Sequence, residues 1–320
     1  MKALVLPLLM SMLLPLAAAA QDADRMNAMR TAFGAWLESN QTSGTGALAF
    51  EGAYVSAIGD ATAPIELASV SKSITALCAA VLRDSGDLDM AASVRDLLGR
   101  GPDVSVASLI THTSGIIEDV TQKLMPDWLD TDERRGSDVL EAMAAPTGVP
   151  EQYVYNNVNY ALLGLVIEAS VSGSYEDTCH RLVMDPVGVT GTPSPRAGGF
   201  LSWGGWTMSP RDYSRLHAHW FGPGTTTGRD PFNYPHAQLF ENGPYYGLGT
   251  VFRPNRTGDG TFNFWHFGAL CFPGRMNVGS YAVTFGGKWT AIMGYDACVD
   301  FDTMLALDAQ IGRAAYGVSE

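Results

Sequence analysis

Two stretches of the chain hold side chains suited to covalent catalysis. Ser69-Val70-Ser71-Lys72 sets a hydroxyl and an amine three residues apart. On a helix, positions i and i+3 share a face, so Ser69 Oγ and Lys72 Nζ can meet. An alcohol becomes a useful nucleophile when a base takes its proton, and a neighbouring amine of lowered pKa can do so. The start of a helix also favours the negative charge that develops on the serine oxygen. Read on its own, the same tetrapeptide would serve as a helix cap followed by a surface lysine. Lys72 is, however, one of the few lysines of the chain, with Lys123 and Lys288 beyond residue 20, and it lies opposite the apolar stripe of its helix. The second stretch is Tyr155-Asn156-Asn157, which follows the Gly148-Val149-Pro150 break. A tyrosine on such a loop can act as a base or proton relay, and Asn157, two residues on in extended backbone, can hold a substrate carbonyl. The plainer use of the same residues is an aromatic packing group and a helix cap.

A third stretch is Trp265-His266-Phe267-Gly268-Ala269, on a predicted strand. Glycine there lets a ligand approach the backbone. A histidine in a strand is also a common structural residue, satisfied by its neighbours. His217 and His219, two apart on a predicted helix, face different ways and make a poor metal pair. No G-x-S-x-G elbow, H-E-x-x-H pair or phosphate loop occurs, so neither a cofactor nor a metal is expected.

These residues need elements to position them. Gly46 to Ile58 reads as a hairpin around Glu51-Gly52. Val70, Ile74, Leu77, Cys78, Val81 and Leu82 recur at helical spacing, which predicts a helix from about Val70 to Arg83. Mainly helical signals follow to His219. They include Val104 to His112, Val158 to Ala169, and a helix begun by the Ser209-Pro210 pair. Strands are predicted at Phe262 to Phe267, Ser280 to Phe285 and Trp289 to Tyr295, the last two joined at Gly286-Gly287, and a final helix over Asp302 to Ala315. Strands from both ends of the chain are therefore expected to share one sheet, with a helical block inserted between them.

Together the three stretches resemble the motif set of the serine β-lactamase and penicillin-binding superfamily, in particular its class C-like esterase and peptidase branch: S-x-x-K, then Y-x-N, then H-x-G in place of K-T-G. Leu109-Ile110-Thr111-His112-Thr113-Ser114-Gly115, Gly198-Gly199-Phe200 and Tyr246-Gly247-Leu248-Gly249 add to the likeness, which spans about Gly46 to Tyr295. The resemblance implies an α+β fold of the β-lactamase/transpeptidase type, an antiparallel sheet flanked by helices with a mainly helical insert. It implies one catalytic domain over 21–320, its α/β part near 21–75 and 240–320 and its insert near 76–220. It further implies acylation of Ser69, proton traffic through Lys72 and Tyr155, and substrate orientation by Asn157 and His266. The oxyanion hole would be the backbone N–H groups of Ser69 and Ala269, beside Gly268. Histidine, mostly neutral at pH 7, attracts a carboxylate less than lysine does. That substitution points away from an efficient β-lactamase or D,D-carboxypeptidase and towards an esterase, amidase or D-amino-acid peptidase. A silent ligand-binding protein of the same fold is the reading from another class. Trp203, Trp206, Trp265 and Phe267 are candidates for an aromatic acyl pocket or for the core.

The remaining features set the context. Met1-Lys2, the apolar run Ala3 to Leu16 and the small residues Ala17 to Ala20 read as a cleavable export signal over 1–20, hence a periplasmic or secreted protein without stable membrane association. A net charge of −13 repels phosphate backbones, so nucleic acid is a poor partner; the expected partner is a small ester, amide or peptide. The sequence sets no oligomeric state. The 35 glycines suit a loop-rich enzyme better than a helical bundle. Of the four cysteines, Cys271 and Cys298 are the pair to test for a disulfide, Cys78 is expected as a buried thiol on an apolar helix face, and Cys179 has no assigned partner.

Overall fold

A computed structural model describes the backbone of residues 6–171, 173–256 and 258–318, with side chains from residue 21 onward. The export signal expected over 1–20 thus falls largely outside the described residues. Among these, no helix is long and apolar enough to cross a membrane. In chain order the main elements are α1 (Leu6–Ser39), β1 (Gly44–Phe50), β2 (Ala53–Ile58), β3 (Ile65–Glu66), α2 (Ser71–Ser85), α3 (Asn157–Ser170), β4 (Thr192–Pro193), β5 (Trp206–Met208), α4 (Pro210–Phe221), β6 (His236–Gln238), β7 (Tyr245–Gly247), β8 (Thr250–Pro254), β9 (Phe262–Phe272), β10 (Met276–Phe285), β11 (Trp289–Tyr295) and α5 (Phe301–Tyr316).

One antiparallel sheet runs β2-β1-β11-β10-β9-β8-β7-β6, and β3-β5-β4 form a small second sheet. β1 lies against β11 in the register Gly44↔Tyr295 to Phe50↔Trp289, so the two ends of the chain close the sheet. β9 and β10 form a long hairpin, with Gly268 opposite Ser280 and Ala269 opposite Gly279. Side chains alternate across a strand. Trp265 and Phe267 therefore join the layer under α1 and α5, where Phe33, Trp36, Tyr281, Leu307 and Ile311 are buried. Phe264, Leu270 and Phe272 join the core shared with α2 and α3.

The fold differs from expectation at several points. Helix α2 is buried nearly all round, not along one stripe, because it runs through the middle of the molecule. The helix expected over Val104 to His112 spans Val106–Ile110, started by Ser105 accepting from the Ser108 N–H. Beyond it His112 and Gly115 both have positive φ, 57° and 76°, which the helix cannot continue through. The sheet also gains β6, β7 and β8, three- to five-residue strands too short to show a period-2 pattern. Cys271 and Cys298 are joined. Cys78 is not a thiol but is bonded to Cys179, Cα to Cα 5.2 Å. Both residues are fully buried, and an apolar helical period does not distinguish a buried thiol from half of a buried disulfide.

Candidate active site

The turn that carries Ser69 is held from several sides. Ala68 adopts a left-handed φ of 46°, a conformation that costs an alanine about 1–2 kcal/mol and persists only where surrounding contacts impose it. Those contacts are visible. Leu67 N–H donates to Trp206 O at 2.9 Å, and Ser280 Oγ donates to Leu67 O at 2.6 Å. Gly268 lies directly against the turn: a β-carbon there would sit 2.5 Å from Leu67 O and 2.9 Å from Ala68 Cβ. Only glycine lets β9 come this close to the turn that precedes Ser69, and the next residue on the strand, Ala269, is exposed. On the other flank Gly249, with φ of +70°, packs on the backbone of Lys72, where a β-carbon would meet the Lys72 carbonyl at 2.2 Å. This gives the Tyr246-Gly247-Leu248-Gly249 segment a structural reason.

Lys72 is fully buried. Its Nζ donates to Ser69 Oγ at 3.2 Å, Asn157 Oδ1 at 2.7 Å and Trp203 O at 2.7 Å, three acceptors for three N–H bonds. Burial drives its pKa down to about 7, while the Asp119 carboxylate pulls the other way. The amine thus stands near the midpoint of its titration at neutral pH, where it can both take and return a proton.

Asn157 opens α3. Its N–H donates to Asp119 Oδ2 at 3.2 Å and its Nδ2 to Thr121 Oγ1 at 3.1 Å, so its first task is to hold Lys72. One amide hydrogen remains for a substrate carbonyl. Asn156 caps the helix, its Oδ1 accepting from Val158 N–H at 2.9 Å, while its Nδ2 donates to Ile116 O and Ile117 O. Tyr155 lies beside Ser69, close enough for the serine hydroxyl to influence its phenol, and its ring lies 5.0 Å from Lys72 Nζ. Crowding pushes its phenol above the usual tyrosine range, even though 40% of the residue stays open to the cleft; the Ser69 contact acts in the opposite sense. At neutral pH Tyr155 is therefore a phenol that can pass a proton on, and Lys72 is the better base.

His266 is wired differently from what its place in the third motif suggests. Its Nδ1 lies 2.6 Å from Phe267 O and must donate to it, so Nε2 is an acceptor, 3.4 Å from the Tyr246 hydroxyl. Burial, aided by the charge of Lys72, lowers its pKa to about 3. His266 is thus neutral, with its single N–H spent on its own strand. A neutral acceptor gives a substrate carboxylate no anchor.

Two residues left without a role by sequence reasoning, His112 and Tyr246, complete the shell. His112 Nδ1 accepts from Asn156 N–H and Asn159 Nδ2, both at 3.2 Å, fixing the loop that carries Tyr155. Its ring packs against Tyr155, Tyr160 and Tyr246, and burial keeps it neutral. The signal for both lay in the segments 109–115 and 246–249, which resemble the family without naming a task. The carbonyl of Trp203 was beyond sequence reasoning, since a backbone acceptor has no residue type. As for the suggested aromatic pocket, Trp206 is a core residue, Trp203 is buried with its indole against Phe200 and Met125, and Trp265 and Phe267 point away from Ser69 across the sheet. His217 donates or accepts at Thr284 Oγ1, 2.8 Å away, within the core. Among the described residues no group of three or more His, Cys, Asp or Glu could hold a metal.

A family model described as Beta-lactamase matches residues 59–240. Among curated proteins, Protein flp of Staphylococcus aureus (strain NCTC 8325 / PS 47) is 28% identical over 142 residues, which cover 41% of this chain and 28% of that protein. The match thus spans less than a third of the length of that relative. Among solved structures, the octameric penicillin-binding protein homologue from Pyrococcus abyssi superposes with a TM-score of 0.73 at 17% identity, covering 90% of this chain and 77% of that one. A D-stereospecific amidohydrolase from Streptomyces sp. gives 0.72 at 17% identity, covering 92% and 99%. At these identities the structures establish the fold.

Proposed function

Because the chain belongs to the Beta-lactamase family, we propose that it is an exported serine hydrolase that cleaves an ester or amide through an acyl-enzyme at Ser69. The observation that carries this reading is the buried Lys72, poised near pH 7 with its Nζ 3.2 Å from Ser69 Oγ. Neutral Lys72 takes the Ser69 proton as Oγ attacks the carbonyl carbon. The backbone N–H groups of Ser69 and Ala269 hold the oxyanion. The proton then passes through Tyr155 to the departing alcohol or amine. Water, deprotonated by the same pair, attacks the acyl carbon, and Ser69 leaves as the alcohol when the acid is released.

The neutral, acceptor-only His266 favours substrates that carry no carboxylate beside the leaving group, an esterase or amidase chemistry over β-lactam or D,D-peptide turnover. The amidohydrolase likeness is compatible with the amide branch. Export is supported by the leader-like start of the sequence and by two disulfides, which persist in oxidising compartments.

The test is hydrolysis of a short-chain p-nitrophenyl ester by the protein and by Ser69→Ala. Loss of turnover in the variant is the expected result. Equal rates in both proteins would remove Ser69 as the nucleophile, and binding of ligand without any Ser69-dependent turnover would favour the silent binder.

A further inference from the structure

Strand β9 gives the cleft a direction. His266 lies beside Tyr155, 6.1 Å between ring centroids, and Tyr155 with Lys72 delivers the proton to the leaving group. The leaving group therefore belongs at the His266 end of β9, and the acyl group extends the other way, past Ala269 towards Phe272. That end is walled. Phe272 packs 6.4 Å from Phe200, which stacks on Trp203 at 5.8 Å, and Trp203 Nε1 donates to Met125 Sδ at 3.4 Å. All four side chains are buried, and the Cys271–Cys298 disulfide ties the tip end of the β9–β10 hairpin to the segment that follows β11.

Across the top of this wall one side chain joins the sheet to the helical lobe. Arg275, in the β9–β10 turn, donates from Nη1 to Pro126 O and from Nη2 to Asp130 at 3.0 Å. Asp130 also accepts from Arg196 Nε at 3.0 Å, and its backbone N–H donates to Arg196 O at 2.7 Å. Two arginines from separate segments thus converge on one carboxylate. Exposed ion pairs of this kind add little to stability, so the consequence of the contact lies in position: it fixes the hairpin tip against the 125–130 segment of the helical lobe.

We infer that the Arg275–Asp130 clasp closes the acyl end of the cleft and makes acyl length the specificity determinant of this hydrolase. The inference rests on the acyl-enzyme reading above. Three residues of strand separate Ala269 from Phe272, about 10 Å. After contact distances of about 3.5–4 Å at each end, the roughly 2–3 Å left between atom centres takes an acyl group of about three carbons or a single small amino-acid residue. The substrate class is thus a short-acyl ester or amide, while the leaving group, at the open end, is less restricted.

The experiment compares kcat/KM for p-nitrophenyl acetate, butyrate and octanoate in the wild type, Arg275→Ala, Arg275→Lys and Asp130→Ala, with Ser69→Ala as the zero. The wild type should prefer butyrate strongly over octanoate. Arg275→Ala and Asp130→Ala should each raise the octanoate-to-butyrate ratio on the order of tenfold, with Arg275→Lys between. Arg275 and Asp130 are both substantially exposed, so the variants should fold, and thermal melts check this. The ratio for 4-methylumbelliferyl against p-nitrophenyl butyrate should stay constant. An unchanged length profile in the presence of Ser69-dependent turnover overturns the clasp, as does a wild type that takes octanoate as readily as butyrate. A parallel shift in leaving-group preference also overturns it, since that indicates general loosening. Absence of Ser69-dependent turnover on every ester removes the acyl-enzyme reading itself, and the clasp with it.

Discussion

On β9 alternate residues serve two different environments. Phe267 faces α1 and α5 and stacks on Tyr281 with 4.5 Å between ring centroids, in a layer composed almost wholly of apolar side chains. His266, one residue away, faces a layer that buries Lys72, His112, Asn157 and Asn159. Burying polar groups costs free energy unless each finds a partner, and on this side the partners are largely supplied: three acceptors for Lys72, two donors for His112 Nδ1, a carbonyl and a hydroxyl for His266. The apolar side holds the sheet together without directional demands. The polar side spends its desolvation on pKa values and geometry, and this difference separates the chemistry of the molecule from its stability.

Substitutions on the two faces should therefore be felt by different measurements. The largest effect is expected at Lys72: Lys72→Met should lower kcat about 1,000-fold or more in steady-state assays, as loss of a general base does, with the protein still folded by circular dichroism. Next comes Gly268→Ala, whose methyl group meets the Leu67 carbonyl and must displace the nucleophile from Ala269. Its kcat should fall about 100-fold, the scale of a lost oxyanion donor, with little change in KM. A pH profile of kcat/KM on a non-ionising ester should come next. The base is neutral Lys72, so the rate should be flat above pH of about 7 and fall as pH drops below it, about tenfold per unit. A profile that instead rises below pH 7 would contradict Lys72 as the base. On the other face Phe267→Ala should change kcat by less than about threefold while lowering unfolding free energy by about 2–3 kcal/mol in urea titration. If Phe267→Ala abolished activity without a loss of stability, the division between the faces would fail.

Much of this arrangement could be read before the structure. The long elements α2, α3, α4 and α5 and the hairpins show their periods, and Ser69, Lys72, Tyr155 and Asn157 converge because short motifs at helix starts carry their own geometry. The rest depended on tertiary proximity. β6, β7 and β8 are too short to leave a pattern. The pairing of Cys78 with Cys179 requires knowing that the segment before residue 180 crosses α2. The role of Trp203 lies in its carbonyl, and the tautomer of His266 depends on the carbonyl of the next residue on its strand. Each is a relation between segments distant in sequence or a property of the backbone, and neither appears in a residue's identity.

The left-handed turn at Ala68 has a consequence for how the protein comes into being. The Leu67–Ala68 conformation is imposed by Gly268 and Ser280, on strands made some two hundred residues later, and β1, already paired with β2, finds its second partner only when β11 exists. Such long-range closures are late and slow steps in folding. During synthesis the serine is thus part of an ordinary flexible segment, and it becomes a reactive group only after the C-terminal hairpin has docked. Reactivity is in this way a product of completed folding, and a nascent or truncated chain carries the motif without the nucleophile.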